Sequence, residues 1–346
     1  MSATSHPFVD RPLPHWFGDA GLGILVHWGP SSVPGWAPLA GPATDGEPGL
    51  SDEWWVTNPY AEWYENSIAI AGSPSAEHHR AAWGDAPYER FGADFARESA
   101  AWRADEWADA FAGAGARYVV ITTKHHDGYL LWPSAHPNPH RAGWQVERDL
   151  VGDLAVAVRA RGMRFGTYYS GGLDWTFGGL PIRGLRDMIA AIPRDDAYVR
   201  YVDAHWAEII DRYEPDILWN DIAHPPGGDY NRLFAEYYER VPDGVVNDRF
   251  DFLGTRAGTA HCDFLTPEYS TLDATSPKKW ETVRGIAHSF GFNRAETDAD
   301  LPSGDEVVGM LAAAVAAGGT LLLGVGPRAD GSIPEIQLGR LAFLGN

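Results

Sequence analysis

Strand-length apolar runs alternate with amphipathic segments and long loops along this chain of 346 residues. The runs end abruptly in polar residues, and several segments between them repeat apolar residues every three to four positions, which indicates helices. The predicted strands cover residues 21–26, 118–123, 165–169, 217–219, 245–246, 262–265, 289–290 and 320–325. The predicted helices cover residues 99–114, 149–161, 195–213, 230–241, 305–317 and 337–343. Eight strands separated by helices or long loops predict a (β/α)8 barrel of the α/β class.

A doubly wound sheet is the rival architecture, but the residues after Gly23 lack the glycine spacing of a phosphate-binding loop. Residues 280–286 are expected to be helical or irregular, and to lead into the strand at 289–290. The stretch at about 30–93 has no strong period, so we expect a long functional loop with small helices of its own. No linker is evident, and we predict a single domain over residues 1–346.

Composition excludes several classes of partner. The chain carries 47 acidic and 27 basic residues, a formal net charge of −20, which disfavours nucleic acid and anionic membranes. Cys262 is the single cysteine, so no internal disulfide is possible. The N-terminal residues lack the basic and apolar regions of a signal peptide, and no stretch reaches membrane-spanning length. We therefore expect a cytoplasmic protein.

Chemistry-bearing side chains concentrate where the predicted strands end, and barrel enzymes place their active sites at the carboxyl ends of the strands. The residues at these ends are His27, Lys124, His125, His126, Asp127, Tyr168, Tyr169, Asn220, Asp221, Asn247, Asp248, Arg249, Glu268, Phe290 and Gly324. They include no nucleophile elbow, so acyl transfer is weakly supported. The 15 tryptophans suit a carbohydrate site, although tryptophan is also ordinary core material.

Asp221 and Glu268 each follow an apolar run, and two carboxyl groups facing each other across a cleft are what glycosidic cleavage requires. Both residues have simpler interpretations. Asp221 could cap a following helix, and Glu268, after a proline, could be a solvated turn residue. His125 and His126 could bind a metal, but strand neighbours point to opposite sides and no chelating spacing is present. Arg249 is most simply an ion-pair partner for a nearby carboxylate.

Eleven segments, in order along the chain, match one known family. They are residues 16–20, 27–29, 62–64, 124–128, 168–175, 218–221, 246–249, 266–269, 280–281, 289–293 and 326–334. With these segments the chain resembles the alpha-L-fucosidases of glycoside hydrolase family 29, from about residue 14 to residue 344. The resemblance implies a retaining exo-glycosidase on a barrel, without metal or organic cofactor, that acts on fucosylated oligosaccharides or glycosides. Transfucosylation is open to any such retaining enzyme.

The resemblance also implies roles for individual residues. Asp221 falls on the nucleophile and Glu268 on the general acid/base, with Glu281 as the runner-up for the second role. Seven residues fall on the family's positions that bind the fucose hydroxyls and ring: His27, Glu62, Trp63, His125, His126, Tyr168 and Arg249. Phe290 falls on the aromatic residue that meets the C5 methyl group. Retention requires carboxyl groups about 5–5.5 Å apart, and Glu268 should be protonated at rest, with a raised pKa.

The chain departs from the family pattern in three places. Residues 222–225 replace a more usual Gly-Trp-Pro sequence after the nucleophile, so the leaving-group side is expected to differ. Gly324 stands where an asparagine is usual. The chain ends at Asn346, where family members continue into a C-terminal β-sandwich, so we expect a minimal enzyme or one whose rim a partner subunit completes, as in a homo-oligomer. The alternative function is a non-catalytic fucose- or glycan-binding barrel.

Overall fold

The computed structural model describes residues 7–39 and 51–346. Its centre is one sheet of eight parallel strands in the order β5-β4-β3-β2-β1-β8-β7-β6. The strands are Leu22–Val26 (β1), Tyr118–Lys124 (β2), Arg164–Ser170 (β3), Ile217–Asp221 (β4), Val245–Val246 (β5), Phe264–Leu265 (β6), Lys279–Gly285 (β7) and Thr320–Val325 (β8). A parallel bridge between Asn247 and Phe264 links β5 to β6. The sheet is therefore a nearly closed (β/α)8 barrel, as the alternation predicts.

Side chains alternate between two apolar layers along the strands, as the pleat requires. Leu25, Val120 and Leu322 pack inside the barrel, whereas neighbouring residues such as Ile24 and Val119 pack against the outer helices. All five are almost completely buried. Parallel strands covered on both faces read as continuous apolar runs, which is why the sequence reveals them.

Helices and short helical turns connect the strands. The α-helices are His15–Gly18, Asp52–Val56, Tyr64–Ala69, Pro74–Trp83, Arg90–Glu98, Ala104–Gly113, Leu150–Ala160, Leu185–Ala191, Asp196–Tyr213, Tyr230–Arg240, Phe252–Arg256, Gly304–Ala316 and Glu335–Leu344. The 3-10 turns are Pro30–Ser32, Ala61–Trp63, Ser99–Ala101, Trp175–Phe177, Asp248–Phe250 and Asp298–Asp300. Several helices begin at side-chain caps, for example Asp149, which accepts from the Gly152 amide. None of the described helices is both long and apolar enough to cross a bilayer.

Most predicted elements are confirmed to within a few residues, but the prediction for the region before β8 is wrong. Residues 280–286 do not form a helix, because Lys279–Gly285 is strand β7 and pairs with β8. Ser289 and Phe290 lie in the loop that follows. The charged residue Glu281 interrupts the apolar pattern of this strand, so the sequence did not indicate it. Its carboxylate is accommodated inside the barrel by hydrogen bonds from Tyr118 and Trp219.

The stretch at 30–93 contains short helices, as expected, although residues 40–50 lie outside the described part of the chain. The predicted helix 99–114 is interrupted at Trp102, where a 3-10 turn ends in an extended backbone before the helix Ala104–Gly113 begins. This long connection between β1 and β2 lies partly over the C-terminal end of the barrel, where Tyr60 reaches Glu268.

Candidate active site

Asp221 is the last residue of β4, and its carboxylate faces the C-terminal end of the barrel. Tyr168 Oη donates to Oδ2 over 2.6 Å, and Arg249 Nη1 donates to Oδ1 over 2.9 Å. The side chain is only 10% exposed. No helix starts at Asp221, because the next one begins at Tyr230 and is capped by Asp229. The interpretation of Asp221 as a helix cap is therefore wrong.

Glu268 follows β6, and the same guanidinium group binds it. Arg249 Nη2 donates to Oε2 over 3.2 Å, and Tyr60 Oη donates to Oε1 over 2.9 Å. With a side chain 23% exposed, Glu268 is not a solvated turn residue. Burial raises the pKa of Glu268 and the charge of Asp221 raises it further, against the opposing effect of Arg249 and Tyr60. The raised pKa agrees in direction with the expectation for a proton donor.

Arg249 is fixed from two further sides. Its Nε donates to Thr266 Oγ1 over 2.9 Å, and its guanidinium lies 4.7 Å from the ring centroid of Trp219. A guanidinium over an aromatic face is favourable, and the planar fork suits two carboxylates at once. Arg249 thereby holds Asp221 and Glu268 at fixed positions relative to each other.

Three histidines lie beside this pair. The rings of His27 and His125 are 5.5 Å apart, and those of His125 and His126 are 3.9 Å apart. His126 Nε2 is 3.9 Å from Asp221 Oδ2, while Nδ1 pairs with Ser170 Oγ at 2.7 Å. Burial holds the pKa of each imidazole well below its ordinary value, so all three are neutral at pH 7.

His125 and His126 lie on the same side of the site. Strand β2 ends at Lys124, so the strand alternation used in the sequence argument against a metal does not apply to them. In the part of the chain that the structure describes, no group of three His, Cys, Asp or Glu side chains is arranged to hold a metal ion.

Glu62, Trp63 and Phe290 form a wall of the site. The Trp63 ring meets His126 edge to face at 5.0 Å, and the Phe290 ring is 5.2 Å from His27. Glu62 Oε2 accepts hydrogen bonds from the Ser289 hydroxyl and the Gly291 amide, so this carboxylate fixes the loop that carries Phe290. Burial raises the pKa of Glu62 to about 7.

The position of Phe290 gives a physical reason for Gly324, one of the departures from the family pattern. A Cβ atom at this position would lie 2.9 Å from Phe290 Cδ1 and about as close to the backbone of β7. A larger residue at 324 would therefore move the Phe290 ring. The absence of a side chain at Gly324 therefore allows the observed position of the Phe290 ring.

Glu281, the alternative proton donor, lies deeper than the rest. Its side chain is completely buried on β7, where it accepts hydrogen bonds from Tyr118 Oη and, over 3.0 Å, from Trp219 Nε1. Tyr118 is the first residue of β2, at the opposite end of the barrel from Asp221. Burial raises the pKa of Glu281 to about 7. The residue is thus a buried acid below the site rather than at its mouth.

The residue after each candidate carboxylate has an unusual backbone. Ile222 has φ 68° and Tyr269 has φ 48°, values in the left-handed region that non-glycine residues rarely adopt. The Ile222 amide donates to Oδ1 of Asp221 over 2.9 Å. Strained backbone of this kind is concentrated at functional sites, where the surrounding structure maintains it.

The structure thus brings together all ten residues that the sequence analysis assigned to catalysis or substrate binding. Four residues that contact this group were missed as site residues. They are Tyr60, Thr266, Trp219 and Trp175, whose ring lies 5.5 Å from that of His126. Tyr60 lies in the long aperiodic connection, where no strand end marks it. Trp219 was assigned only to a strand, although inward-facing strand positions near Asp221 could have indicated it.

Comparison with known proteins decides the family. A family model described as Alpha-L-fucosidase matches residues 1–346. The chain belongs to the alpha-L-fucosidase family. Members of this family are glycoside hydrolases, and the chain is accordingly a glycoside hydrolase.

Relatives agree with this assignment. The chain is 32% identical to the tissue alpha-L-fucosidase of Bos taurus, over 98% of its own length and 68% of that protein. It is 30% identical to the tissue alpha-L-fucosidase of Homo sapiens, with the same two shares. Among solved structures, it superposes on the Thermotoga maritima alpha-fucosidase in complex with fucose with a TM-score of 0.86 and 44% identity, covering 97% of this chain and 74% of that one. The barrel is therefore that of fucosidase catalytic domains.

Proposed function

We propose that this alpha-L-fucosidase family member hydrolyses terminal α-L-fucosyl residues with retention of configuration, with Asp221 as nucleophile and Glu268 as general acid/base. The observation that carries the proposal is the single guanidinium of Arg249, which binds both carboxylates. A retaining mechanism needs two carboxyl groups close together across one glycosidic bond. Arg249 keeps this pair close.

In the first step, an Asp221 oxygen attacks the anomeric carbon, and the bond to the leaving-group oxygen breaks. Glu268 gives its proton to that oxygen, which departs as an alcohol. In the second step, Glu268, now a carboxylate, takes a proton from water, and the water oxygen displaces Asp221 from the anomeric carbon. Esterification removes the charge of Asp221, which raises the pKa of Glu268 in the resting site. The pKa of Glu268 therefore falls when the residue must act as a base.

Glu268 suits the proton-donor role better than Glu281. Only Glu268 shares Arg249 with Asp221 through a direct hydrogen bond, and only its side chain is partly exposed at the mouth. The Glu281 carboxyl is enclosed and bonded to Tyr118 and Trp219. We assign Glu281 to holding the Trp219 ring, against which Arg249 packs.

The remaining site residues fit a deoxy sugar. Neutral imidazoles, a tyrosine hydroxyl and Glu62 supply donors and acceptors for the fucose hydroxyls. The residues assigned to these hydroxyls and to the ring are His27, Glu62, Trp63, His125, His126, Tyr168 and Arg249. Phe290, which packs against His27 and Tyr60, supplies the apolar wall that a C5 methyl group requires. A non-catalytic glycan-binding barrel is not favoured, because both carboxylates are present and share one cation.

The stereochemistry of the first product tests the proposal. The wild-type protein is mixed with 4-nitrophenyl α-L-fucoside and followed by proton NMR before the free sugar mutarotates. A retaining fucosidase releases α-L-fucose first. Early release of β-L-fucose would exclude the double displacement, and no turnover with saturable fucoside binding would favour the binding barrel. Added alcohols that accumulate as α-L-fucosides would show that the same intermediate supports transfucosylation.

A further inference from the structure

A second cavity, of about 650 Å³, lies at the same end of the barrel as the candidate active site. Its lining comes from the segments that follow the carboxyl ends of β1, β7 and β8. Arg294, Glu296 and Thr297 follow β7, Arg328 follows β8, and Glu98 lies in the long connection after β1. No catalytic or fucose-binding role assigned above involves these side chains.

The cavity and the candidate active site share the loop that follows β7. Phe292 lines the cavity, and Phe290, two residues earlier, lines the fucose site. Two residues of chain span at most about 7 Å. Tyr60 joins Phe290 to the proton donor, because its ring lies 5.5 Å from that of Phe290 and its hydroxyl binds Glu268. The loop that borders the cavity is therefore in contact, through Tyr60, with the residue proposed as the proton donor.

One carboxylate of the cavity is linked to the candidate active site through Ser289. Glu296 lines the cavity, and its Oε1 accepts hydrogen bonds from the amides of His288 and Ser289 over 3.1 and 2.9 Å. Ser289 in turn donates to Glu62 Oε2. The loop that carries Phe290 is thus held by one carboxylate from each side.

The lining suits a neutral polyhydroxyl ligand. The guanidinium groups of Arg294 and Arg328 lie 5.9 and 5.2 Å from the Phe292 ring centroid. Arg294 already donates to the carbonyl groups of Val33 and Gly35, so Arg328 is the donor that lies beside this apolar ring. Glu98 and Glu296 add acceptors. An anion would meet the carboxylates and a cation the guanidinium groups, whereas sugar hydroxyls can both donate and accept. The volume is in the range of small-molecule sites.

We propose that this cavity binds a neutral sugar unit of the leaving group, so that the protein prefers fucosylated oligosaccharides to simple fucosides. The proposal rests on the fucosidase function proposed above. Arg328 is its best probe, since the side chain is exposed and its hydrogen bond to Ser332 Oγ is long at 3.4 Å. Glu98→Gln, which preserves the size of the side chain, is the second probe.

The test compares kcat/KM for 4-nitrophenyl α-L-fucoside with kcat/KM for 2′-fucosyllactose and 3-fucosyllactose. We expect Arg328→Ala to lower the ratio of oligosaccharide to aryl fucoside at least fivefold, through KM, and Glu98→Gln to lower it about twofold. Arg240→Ala is the matched control, because Arg240 ends a helix at the opposite end of the barrel and pairs with Asp211 and Glu214.

Each outcome decides one question. An unchanged ratio in both cavity variants overturns the sugar subsite, and so does a wild-type protein that cleaves the aryl fucoside but neither fucosyllactose. A ratio that falls equally in Arg240→Ala also overturns it. Absence of cleavage of the aryl fucoside and of both fucosyllactoses by the wild type contradicts the fucosidase function itself, which separates the two failures.

Discussion

Tyr60 donates a hydrogen bond to Oε1 of Glu268 over 2.9 Å, from a connection that lies more than 200 residues earlier in the chain. The Tyr60 ring is fixed against Phe290 and Trp54. The hydroxyl therefore binds Oε1, whereas Arg249 binds Oε2 of the same carboxyl group. This contact favours the charged form of Glu268 and so lowers its pKa.

Tyr60→Phe should shift the alkaline limb of the pH–rate profile upward. In the proposed mechanism protonated Glu268 supplies the proton in the first step, so kcat/KM should fall as the pH rises through the pKa of Glu268. Without the Tyr60 hydroxyl that pKa rises further, because a hydrogen bond that favours the charged carboxylate is lost. Tyr129→Phe is the control, because its hydroxyl bonds the Gly92 carbonyl outside the site. If the alkaline limb of the profile does not move in Tyr60→Phe, a group other than Glu268 is responsible for that limb.

Asp221→Gly should abolish hydrolysis of 4-nitrophenyl α-L-fucoside, by at least about 10³-fold, because no oxygen remains to attack the anomeric carbon. Azide should restore partial turnover and give β-L-fucosyl azide, since it enters through the vacated face. Mass spectrometry and NMR identify the product. Asp221→Asn, which fills the space, should be equally inactive but less well rescued. Near-normal hydrolysis by either variant would remove Asp221 from the nucleophile role.

Glu268→Ala should depend strongly on the leaving group. A fucoside with a good leaving group needs little protonation, so its first step should be far less impaired than that of an alkyl or sugar fucoside. Azide should trap the fucosyl-enzyme as α-L-fucosyl azide, the retained anomer. Glu281→Gln should show the same loss, if any, for good and poor leaving groups. The reverse pattern between the two variants would make Glu281 the proton donor.

Glu281→Gln should change how stability depends on pH. Burial raises the pKa of Glu281 to about 7, above its value of about 4.5 in the unfolded chain. Between these values the folded state keeps a proton that the unfolded state releases, so the wild-type free energy of unfolding falls as pH rises and levels off above 7. The glutamine does not titrate. We therefore expect the free energy of unfolding of Glu281→Gln, relative to that of the wild type, to increase between pH 5 and pH 8 by on the order of 3 kcal/mol.

Urea denaturation at pH 5 and pH 8 measures this difference. Glu239→Gln, at an exposed glutamate on the helix Tyr230–Arg240, serves as the matched control and should show no such gain. A constant difference between Glu281→Gln and the wild type across this range would show that Glu281 is already charged in the folded protein.

The barrel could be predicted from the sequence because buried parallel strands such as Leu22–Val26 are uninterrupted apolar runs. Strand β7 was missed for the converse reason. It carries Glu281 and Arg284, whose charges break the run, and the hydrogen bonds that make Glu281 tolerable come from β2 and β4. Such compensation appears only when distant strands are brought together.

The candidate site was predictable to a similar degree. Asp221 and the histidines follow strands, so position along the chain indicates them, and the family resemblance supplied the roles now proposed. Tyr60 could not be found in this way, since its function depends on how an aperiodic connection folds over the barrel. The left-handed backbone of Ile222 was equally hidden, because an isoleucine gives no sequence signal for it.

The proposed double displacement gives Arg249 a role throughout the catalytic cycle. In the resting site one negative charge, on Asp221, faces the guanidinium, while Glu268 holds a proton. In the fucosyl-enzyme the ester is neutral, and the negative charge is on Glu268, which Arg249 also contacts. The trio is therefore electrically neutral at both stages. Negative charge passes from one carboxylate to the other beside a stationary cation, and the buried site never has to stabilise an unbalanced charge.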